Sequence, residues 1–169
     1  PEDAFGKTVV YHYGVEITND DGTTEKLYDY VMSDLTIHSF GGTKNITFAS
    51  NEDGKTVTAY SIWPNENSTK IPASIKVNGI SYKVTAIGNY VNENKKLKAV
   101  TIPATVKSIG KEAFVNAKDL KTITINGNVT KIGANAFKGI NKKAVFKIKT
   151  ASSNYKKIVS KIKKAGAPK

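Results

Sequence analysis

Residues 106–114 read VKSIGKEAF, and residues 129–137 read VTKIGANAF, the same pattern 23 residues later. Each copy is followed by an alternating segment, LKTITI at 120–125 and KAVFKI at 143–148. A shorter form precedes them, with VTAIG at 84–88 and LKAVTI at 97–102. A constant period of this length predicts a solenoid in which each copy adds one coil. The sequence therefore predicts three repeats, at about 84–105, 106–128 and 129–149.

Charge is divided unevenly along the 169 residues, whose net charge is +12. Residues 1–70 contain five lysines and eleven acids, a net charge of −6, and residues 71–169 contain 21 lysines and three acids, a net charge of +18. All 26 basic residues are lysine, which argues against sequence-specific nucleic-acid binding, because arginine is the usual reader of bases. Two interpretations stay open, a well-hydrated exterior and a dedicated anion site.

The chain has no cysteine, which excludes disulfides, thiol nucleophiles and the usual structural zinc sites. No apolar run is long enough to cross a bilayer, so no transmembrane segment is expected. The chain starts at Pro1 without a signal peptide, as expected of a processed or trimmed product.

Residues 1–70 predict an antiparallel β-rich region. Short β-prone segments alternate with turn sequences, of which residues 19–22 (NDDG) and 51–54 (NEDG) are the clearest. The predicted strands are 9–13, 15–18, 25–31, 35–40, 45–49 and 56–62. Residues 71–84 predict a hairpin around Asn78 and Gly79, which leads directly into the first repeat.

Within each repeat, alternation assigns the side chains to two sides of a parallel sheet. Val100, Ile102, Ile123 and Ile125 are predicted to point inward. The predicted outward residues are Lys98, Ala99, Thr101, Lys121, Thr122, Thr124, Ala144, Val145 and Lys147. Among them, Lys98, Thr101, Lys121, Thr124 and Lys147 are the candidate binding residues, a face of lysine and threonine.

Between the strands of each repeat, residues 112–114 and 135–137 are predicted to form one helical turn that places Phe114 and Phe137 in the core. In the first repeat Tyr90 or Val91 is expected to replace the phenylalanine.

A C-terminal helix over about 153–165 is expected to cap the last coil, whose apolar edge needs cover. Ser152 or Ser153 is the predicted N-cap. The predicted apolar face consists of Tyr155, Ile158, Val159, Ile162 and Ala165. The alternative is a cationic amphipathic helix for anionic membranes, which the lack of Trp and Phe disfavours. The fold class is therefore mainly β with short helical turns: an antiparallel region (1–70), then a solenoid (71–169) closed by a capping helix.

The repeat pattern resembles that of the BspA-like leucine-rich repeat family. The residues that carry the resemblance are Ile71, Pro72, Ala73, Asn78, Gly79, Tyr82, Val84, Thr85, Ala86, Ile87, Gly88, Ile109, Gly110, Ala113, Phe114, Leu120, Ile123, Ile125, Ile132, Gly133, Ala136 and Phe137. The resemblance implies a secreted or surface-attached bacterial protein without catalysis. It also implies adhesion to host matrix proteins as one role, and it transfers no individual binding residue.

Residues that could support chemistry are few. His12 and His38 are isolated, so no metal site is predicted. Residues 20–22 and 51–54 could suggest calcium loops, but they lack the ligand spacing, and turns are favoured. Trp63, near Tyr60, could form a stacking platform for sugar, although packing is favoured. No catalytic or cofactor motif is present, so neither catalytic residues nor a cofactor is predicted.

Three functions follow in order of preference. The first is a non-catalytic extracellular binding or adhesion module, a monomer that presents its lysine/threonine face to a host matrix protein or an acidic glycan. The second is a structural cell-envelope domain held by charge to an anionic wall polymer. The third is a small enzyme with a site in the N-terminal β region.

Overall fold

A computed structural model of the chain describes residues 13–18, 24–29, 36–39, 46–51, 53–62, 67–77, 80–92 and 96–168. The described strands and helix are β1 (Tyr13–Thr18), β2 (Thr24–Asp29), β3 (Thr36–Ser39), β4 (Ile46–Ser50), β5 (Thr56–Ile62), β6 (Ser68–Lys70), β7 (Ser74–Val77), β8 (Ile80–Ile87), β9 (Ala99–Ile102), β10 (Ser108–Ile109), β11 (Thr122–Asn126), β12 (Lys131–Ile132), β13 (Val145–Lys149) and α1 (Ser152–Lys164).

The N-terminal strands pair in antiparallel fashion, as predicted. β1 pairs with β2, and Thr18 lies opposite Thr24 at the end of the pair that is nearest the turn. The predicted turn at 19–22 lies outside the described residues. β3 pairs with β4, and β4 with β5. The turn between β4 and β5 is the predicted one, with Gly54 at a φ of 60°. Of the predicted strand 9–13, only Tyr13 is described.

Two sheets build the solenoid. The seven-stranded sheet has the order β12-β10-β8-β5-β4-β3, with β7 also paired to β8, and the four-stranded sheet has the order β13-β11-β9-β6. The chain moves from the first sheet to the second in each coil, as β5 to β6, β8 to β9, β10 to β11 and β12 to β13. The fold prediction, a mainly β chain with a solenoid and one C-terminal helix, is confirmed.

The structure contains one more coil than the three predicted. β5 is antiparallel to β4 on one side and parallel to β8 on the other, and β6 is parallel to β9. β5 and β6 therefore belong to the first coil, so solenoid pairing begins before residue 71. The division of the chain into two domains between residues 70 and 71 stays a prediction. Ala59 lies opposite Ile87, 28 residues later, because the β7–β8 hairpin lengthens this coil. The hairpin pairs Val77 with Ile80, and its turn lies outside the described residues.

The core is shared by all four coils. Phe114 and Phe137 are fully buried and stack with ring centroids 5.8 Å apart at 3°, and Phe146 meets Phe137 edge to face at 5.0 Å. The predicted common interior is therefore present. The segments predicted to be helical turns begin with a left-handed residue, Glu112 (φ 53°) or Asn135 (φ 57°), so they are irregular hydrogen-bonded turns.

In the second coil, Val91 is buried and Tyr90 is exposed. Neither takes the phenylalanine position. The Asn92 N–H donates to the Ala113 carbonyl at 3.0 Å, just as the Phe114 N–H donates to Ala136 at 2.8 Å. Asn92 is thus the residue that corresponds to Phe114, and the prediction of Tyr90 or Val91 was wrong.

Helix α1 closes the C-terminal end, with Ile158, Ile162 and Ala165 buried. The Phe137 N–H donates to the Ala165 carbonyl at 3.0 Å, so the residue after the helix supplies the acceptor that a further coil would supply. Because its apolar face is buried in the protein, the capping interpretation is preferred to membrane insertion.

Two details of the helix prediction were wrong. Tyr155 is 49% exposed, because it lies in the first turn, ahead of the part that covers the core. Ala151 is the N-cap, and no side chain makes a capping hydrogen bond, so Ser152 and Ser153 belong to the helix itself.

Candidate binding face

The outward side of the four-stranded sheet consists of two straight rows of side chains. Its strands are parallel and in register, so residues of equivalent coils lie opposite each other. The first row is Ser68, Ala99, Thr122 and Val145, and the second row is Lys70, Thr101, Thr124 and Lys147. Neighbouring strands are separated by about 4.8 Å, so the second row spans about 14 Å from Lys70 to Lys147.

The interior of the sheet fixes these rows. Val100 and Ile123 point into the coil and are fully buried, as are Ile102 and Ile125 two residues later. Alternation along a strand then forces Thr101 and Thr124 to the outside, where they are half-buried. The assignment of sides made from the sequence is confirmed for these strands.

Three of the five predicted residues lie in the second row, and the other two lie directly before their strands. Thr101, Thr124 and Lys147 are consecutive members of the second row. Lys98 and Lys121 precede their strands and are linked by a 2.8 Å bond from the Lys121 N–H to the Lys98 carbonyl. The three lysines are exposed. The five residues therefore share one surface, which we call the lysine/threonine face, and their role in binding stays a prediction.

Sequence reasoning missed Lys70, the first member of the second row. It lies opposite Thr101, and its side chain is exposed. The spacing from Lys70 to Thr101 is 31 residues, against 23 from Thr101 to Thr124, because the β7–β8 hairpin is inserted between β6 and β9. The signal that could have located it is the alternation of SerThrLysIle at 68–71, with Ile71 fully buried.

The electrostatic character of this face is uniform. The four strands β6, β9, β11 and β13 contain no aspartate or glutamate. They contribute Lys70, Lys147 and Lys149, and Lys98 and Lys121 flank them. A surface that carries charge of one sign attracts a multivalent partner of the opposite sign.

The other candidates considered from the sequence, such as a metal site or a membrane span, have less structural support in the described part of the chain than the lysine/threonine face. It contains no group of three or more His, Asp or Glu residues placed to hold a metal ion. His12 and Trp63 lie outside the described residues, as do residues 20–22, and no side-chain surroundings are described for His38. No helix in that part has both the length and the apolar character needed to cross a membrane.

The turn interpretation of residues 51–54 fits the geometry better than a calcium loop. The Asp53 carboxylate accepts the N–H groups of Lys55 and Thr56, each at 2.8 Å, and the Thr56 hydroxyl at 2.7 Å. The bond from the Lys55 N–H, followed by the hydroxyl and N–H of Thr56, lowers the pKa of Asp53 below its ordinary value. The carboxylate is therefore used to close the turn between β4 and β5.

Comparisons with known proteins agree with this architecture. The family model of the BspA type leucine rich repeat region matches residues 85–162 in six copies. A leucine rich cell surface protein from Faecalibacterium prausnitzii is similar in structure, with a TM-score of 0.57 and 29% identity over 72% of this chain. A leucine-rich repeat protein from Bacteroides capillosus has a TM-score of 0.51 and 25% identity over 68% of this chain.

The two relatives differ in size. This chain spans 33% of the Faecalibacterium protein's length and 98% of the Bacteroides protein's length. The comparison with curated proteins gave no match. Residues 85–162 of this chain therefore resemble the BspA-type leucine-rich repeat family.

Proposed function

We propose that the lysine/threonine face binds a multivalent anionic partner, either an acidic glycan or an acidic surface of an extracellular protein. Leucine-rich repeat arrays typically act as non-catalytic binding or structural modules, because stacked coils offer an extended, rigid surface. The observation that carries the proposal is the register of the second row, in which Lys70 and Lys147 lie at the two ends and Thr101 and Thr124 between them.

The composition of the rows fits a partner that carries repeated anionic groups. Lysine ammonium groups on flexible stems attract carboxylate or sulfate groups without demanding one geometry, whereas threonine hydroxyls donate short-range hydrogen bonds. The strands beneath them are held by two neighbours each in β9 and β11, so little ordering of the backbone accompanies binding. Each contact contributes a modest affinity, and the affinities add up along the row because the strands hold its side chains at fixed positions.

Location at the bacterial cell surface, and adhesion to a host matrix protein, are parts of the same proposal. The support is that the similar protein from Faecalibacterium prausnitzii is a leucine rich cell surface protein. We propose that the chain acts as a monomer, with its second row available to the partner.

The test is a binding comparison between two double variants that change the charge equally. Lys121→Glu with Lys147→Glu alters the lysine/threonine face, and Lys156→Glu with Lys157→Glu alters the exposed side of α1. Surface plasmon resonance at physiological salt would measure binding to immobilised heparin, as a sulfated glycan, and to host matrix proteins. We expect the first variant to bind at least about tenfold more weakly, since two ion pairs become two repulsions, and the second to bind as the wild type does.

The alternative function, a structural domain held by charge to an anionic wall polymer, predicts a different result. Charge alone does not distinguish the two surfaces, so both double variants should then lose binding equally, and the interaction should fade steeply as salt rises. The specific observation in favour of this alternative is that α1 carries five further lysines on its outer side. Unchanged binding of the face variant would refute the proposal for that face.

A further inference from the structure

Two exposed tyrosines lie on adjacent coils, Tyr60 on the first and Tyr90 on the second. Tyr60 is 58% exposed and Tyr90 is 54% exposed. Their segments run alongside each other, with the Gly88 N–H bound to the Ala59 carbonyl at 2.8 Å and the Ile62 N–H bound to the Val91 carbonyl at 2.7 Å. Tyr60 and Tyr90 are therefore near neighbours across two adjacent coils.

Gly88 has no side chain at the point where the second coil approaches Tyr60. A Cβ built at Gly88 would lie 3.5 Å from the Tyr60 Cα, so the backbone of the second coil passes directly beside that of Tyr60. No side chain of Gly88 therefore stands between the two backbones at this point.

The backbone of Tyr90 has the turn conformation that the later coils repeat. Its φ of 49° is in the left-handed region, and the equivalent positions of the next two coils are Glu112 (φ 53°) and Asn135 (φ 57°). Asparagine adopts this left-handed conformation at a low energetic cost, whereas the energetic cost is higher for an aromatic residue. The conformation is imposed by the stack of coils, because the Tyr90 N–H donates to the Lys111 carbonyl of the next coil at 3.2 Å. It leaves the Tyr90 side chain 54% exposed.

Polar groups border the tyrosines on the side of the third coil. The Asn89 Oδ1 accepts the Lys111 N–H at 2.7 Å, and the Lys111 Nζ lies 3.8 Å from the Glu112 carboxylate. The Tyr90 N–H donates to the Lys111 carbonyl at 3.2 Å, which places Glu112 next to Tyr90 in the stack. A carboxylate, an ammonium and an amide beside two aromatic rings offer both donors and acceptors to hydroxyl groups.

We propose that Tyr60 and Tyr90 form a stacking site for hexose units of a neutral polysaccharide. The face of an aromatic ring is electron-rich, and the C–H groups on one face of a hexose carry a small positive charge, so the two faces attract each other and exclude water. The hydroxyls at the edge of the sugar then reach Asn89, Lys111 and Glu112. This surface, on β5 and on the turn after β8, is separate from the lysine/threonine face, and its ligand needs no charge.

The test is affinity gel electrophoresis of the whole chain in gels that contain hydroxyethyl cellulose or a β-galactan, both neutral hexose polymers. Migration should be retarded for the wild type by at least one polymer. Tyr60→Ala and Tyr90→Asn should each weaken the interaction about three- to tenfold, the loss of one stacked ring. Tyr90→Phe should keep most of it, because the ring remains.

Two measurements separate binding from stability. Tyr90→Asn places a residue suited to the left-handed region, so its melting temperature should rise by about 2–4 °C while sugar binding falls. Tyr155→Ala removes another exposed tyrosine, on α1, and should leave migration unchanged. The double variant Lys121→Glu with Lys147→Glu should also keep sugar binding, so this result does not depend on the fate of the lysine/threonine face. Absence of retardation by both polymers, or an equal loss in Tyr155→Ala, would overturn the proposal.

Discussion

The last two coils and the first two coils of the solenoid stack by different means. In the last two, glycine lies against glycine and phenylalanine against phenylalanine, at Gly110 and Gly133 and at Phe114 and Phe137. In the first two, Gly88 lies against Ala59 and Tyr60, and Asn92 takes the phenylalanine position. Both pairs keep the same backbone hydrogen bonds, from Gly88 to Ala59 and from Gly133 to Ile109, each at 2.8 Å.

The difference separates the part of the repeat that is needed for backbone hydrogen bonds between coils from the part that is needed where two coils approach closely. The hydrogen-bonded ladder needs only backbone groups, so it tolerates a change of side chains. The close approach of two turns does not tolerate such a change of side chain. A Cβ at Gly110 would lie 2.5 Å from the Gly88 carbonyl carbon, whereas a Cβ at Gly88 would lie 3.3 Å from the Ala59 oxygen. Repetition of sequence is therefore strict where backbones touch and loose where they do not.

The largest expected effect comes from removing the aromatic stack of the later coils. Phe114→Ala should lower the free energy of unfolding by about 3–5 kcal/mol, because the ring is fully buried and stacked on Phe137. Phe146→Ala removes the half-buried ring at the end of the stack and should cost clearly less. Urea denaturation followed by tryptophan fluorescence or circular dichroism measures both. Equal losses would mean that the stack is not what distinguishes the later coils.

The same contrast explains what the sequence could predict. The three later coils repeat their side chains, so the period, the inward isoleucines and the rows through Thr101 and Thr124 were all visible. The first coil lacks the glycine and phenylalanine signals and is lengthened by a hairpin, so β5 and β6 were assigned to an antiparallel region. Lys70 was missed for that reason alone. Pairing of β5 with β8 is a long-range contact, which alternation cannot reveal.

Turn geometry was the second limit. The segments that contain Glu112 and Asn135 were each predicted to form one helical turn that places a phenylalanine in the core. The left-handed conformation at that residue is imposed by the hydrogen bonds of the neighbouring coil, such as that from the Glu112 N–H to the Ala134 carbonyl at 2.9 Å. The exposure of Tyr90 depends on the same turn, and a single sequence does not encode it locally.

The next largest change in stability is expected from substitutions at Gly88 and Gly110, whose contacts with the neighbouring coil differ. Neither Gly88 nor Gly110 has a positive φ, so alanine suits both backbones and only the contacts differ. Gly110→Ala should lower the free energy of unfolding by about 1–3 kcal/mol, because its Cβ meets backbone that cannot yield easily. Gly88→Ala should stay within about 1 kcal/mol of the wild type, since alanine also restricts the unfolded chain.

Thermal and urea unfolding would measure the free energy of unfolding of both variants. Gly88→Ala and Gly110→Ala are matched controls for each other. Gly133→Ala should behave as Gly110→Ala does, because its Cβ would meet the backbone of Gly110 and Lys111. If Gly88→Ala proves as costly as Gly110→Ala, close approach is not confined to the later coils, and the comparison fails.

A smaller effect, of the opposite sign, is expected at Asn92. Its Oδ1 is buried and has no hydrogen-bond partner within the described structure, a situation that costs about 1–3 kcal/mol. Asn92→Leu, which keeps the number and branching of the side-chain heavy atoms, should raise the free energy of unfolding by about 1 kcal/mol. The control is Asn89→Leu, which removes the acceptor of the Lys111 N–H and should destabilise the protein. A destabilised Asn92→Leu would show that this asparagine supports the early coils.

The smallest effect concerns Asp53, at the turn that leads into the first coil. Its folded-state pKa is lowered, chiefly by the Lys55 N–H and then by Thr56, so the ionised form stabilises the folded chain. That contribution is complete well above the unfolded-state pKa of about 3.9 and is lost as the pH falls through the folded-state value. Melting temperatures of the wild type and Asp53→Asn should differ slightly at pH 7 and converge towards pH 2.5. Asp119→Asn, in the exposed turn before β11, is the control for a general effect of charge. A gap that persists at pH 2.5 would assign the stabilisation to the shape of the turn rather than to the carboxylate charge.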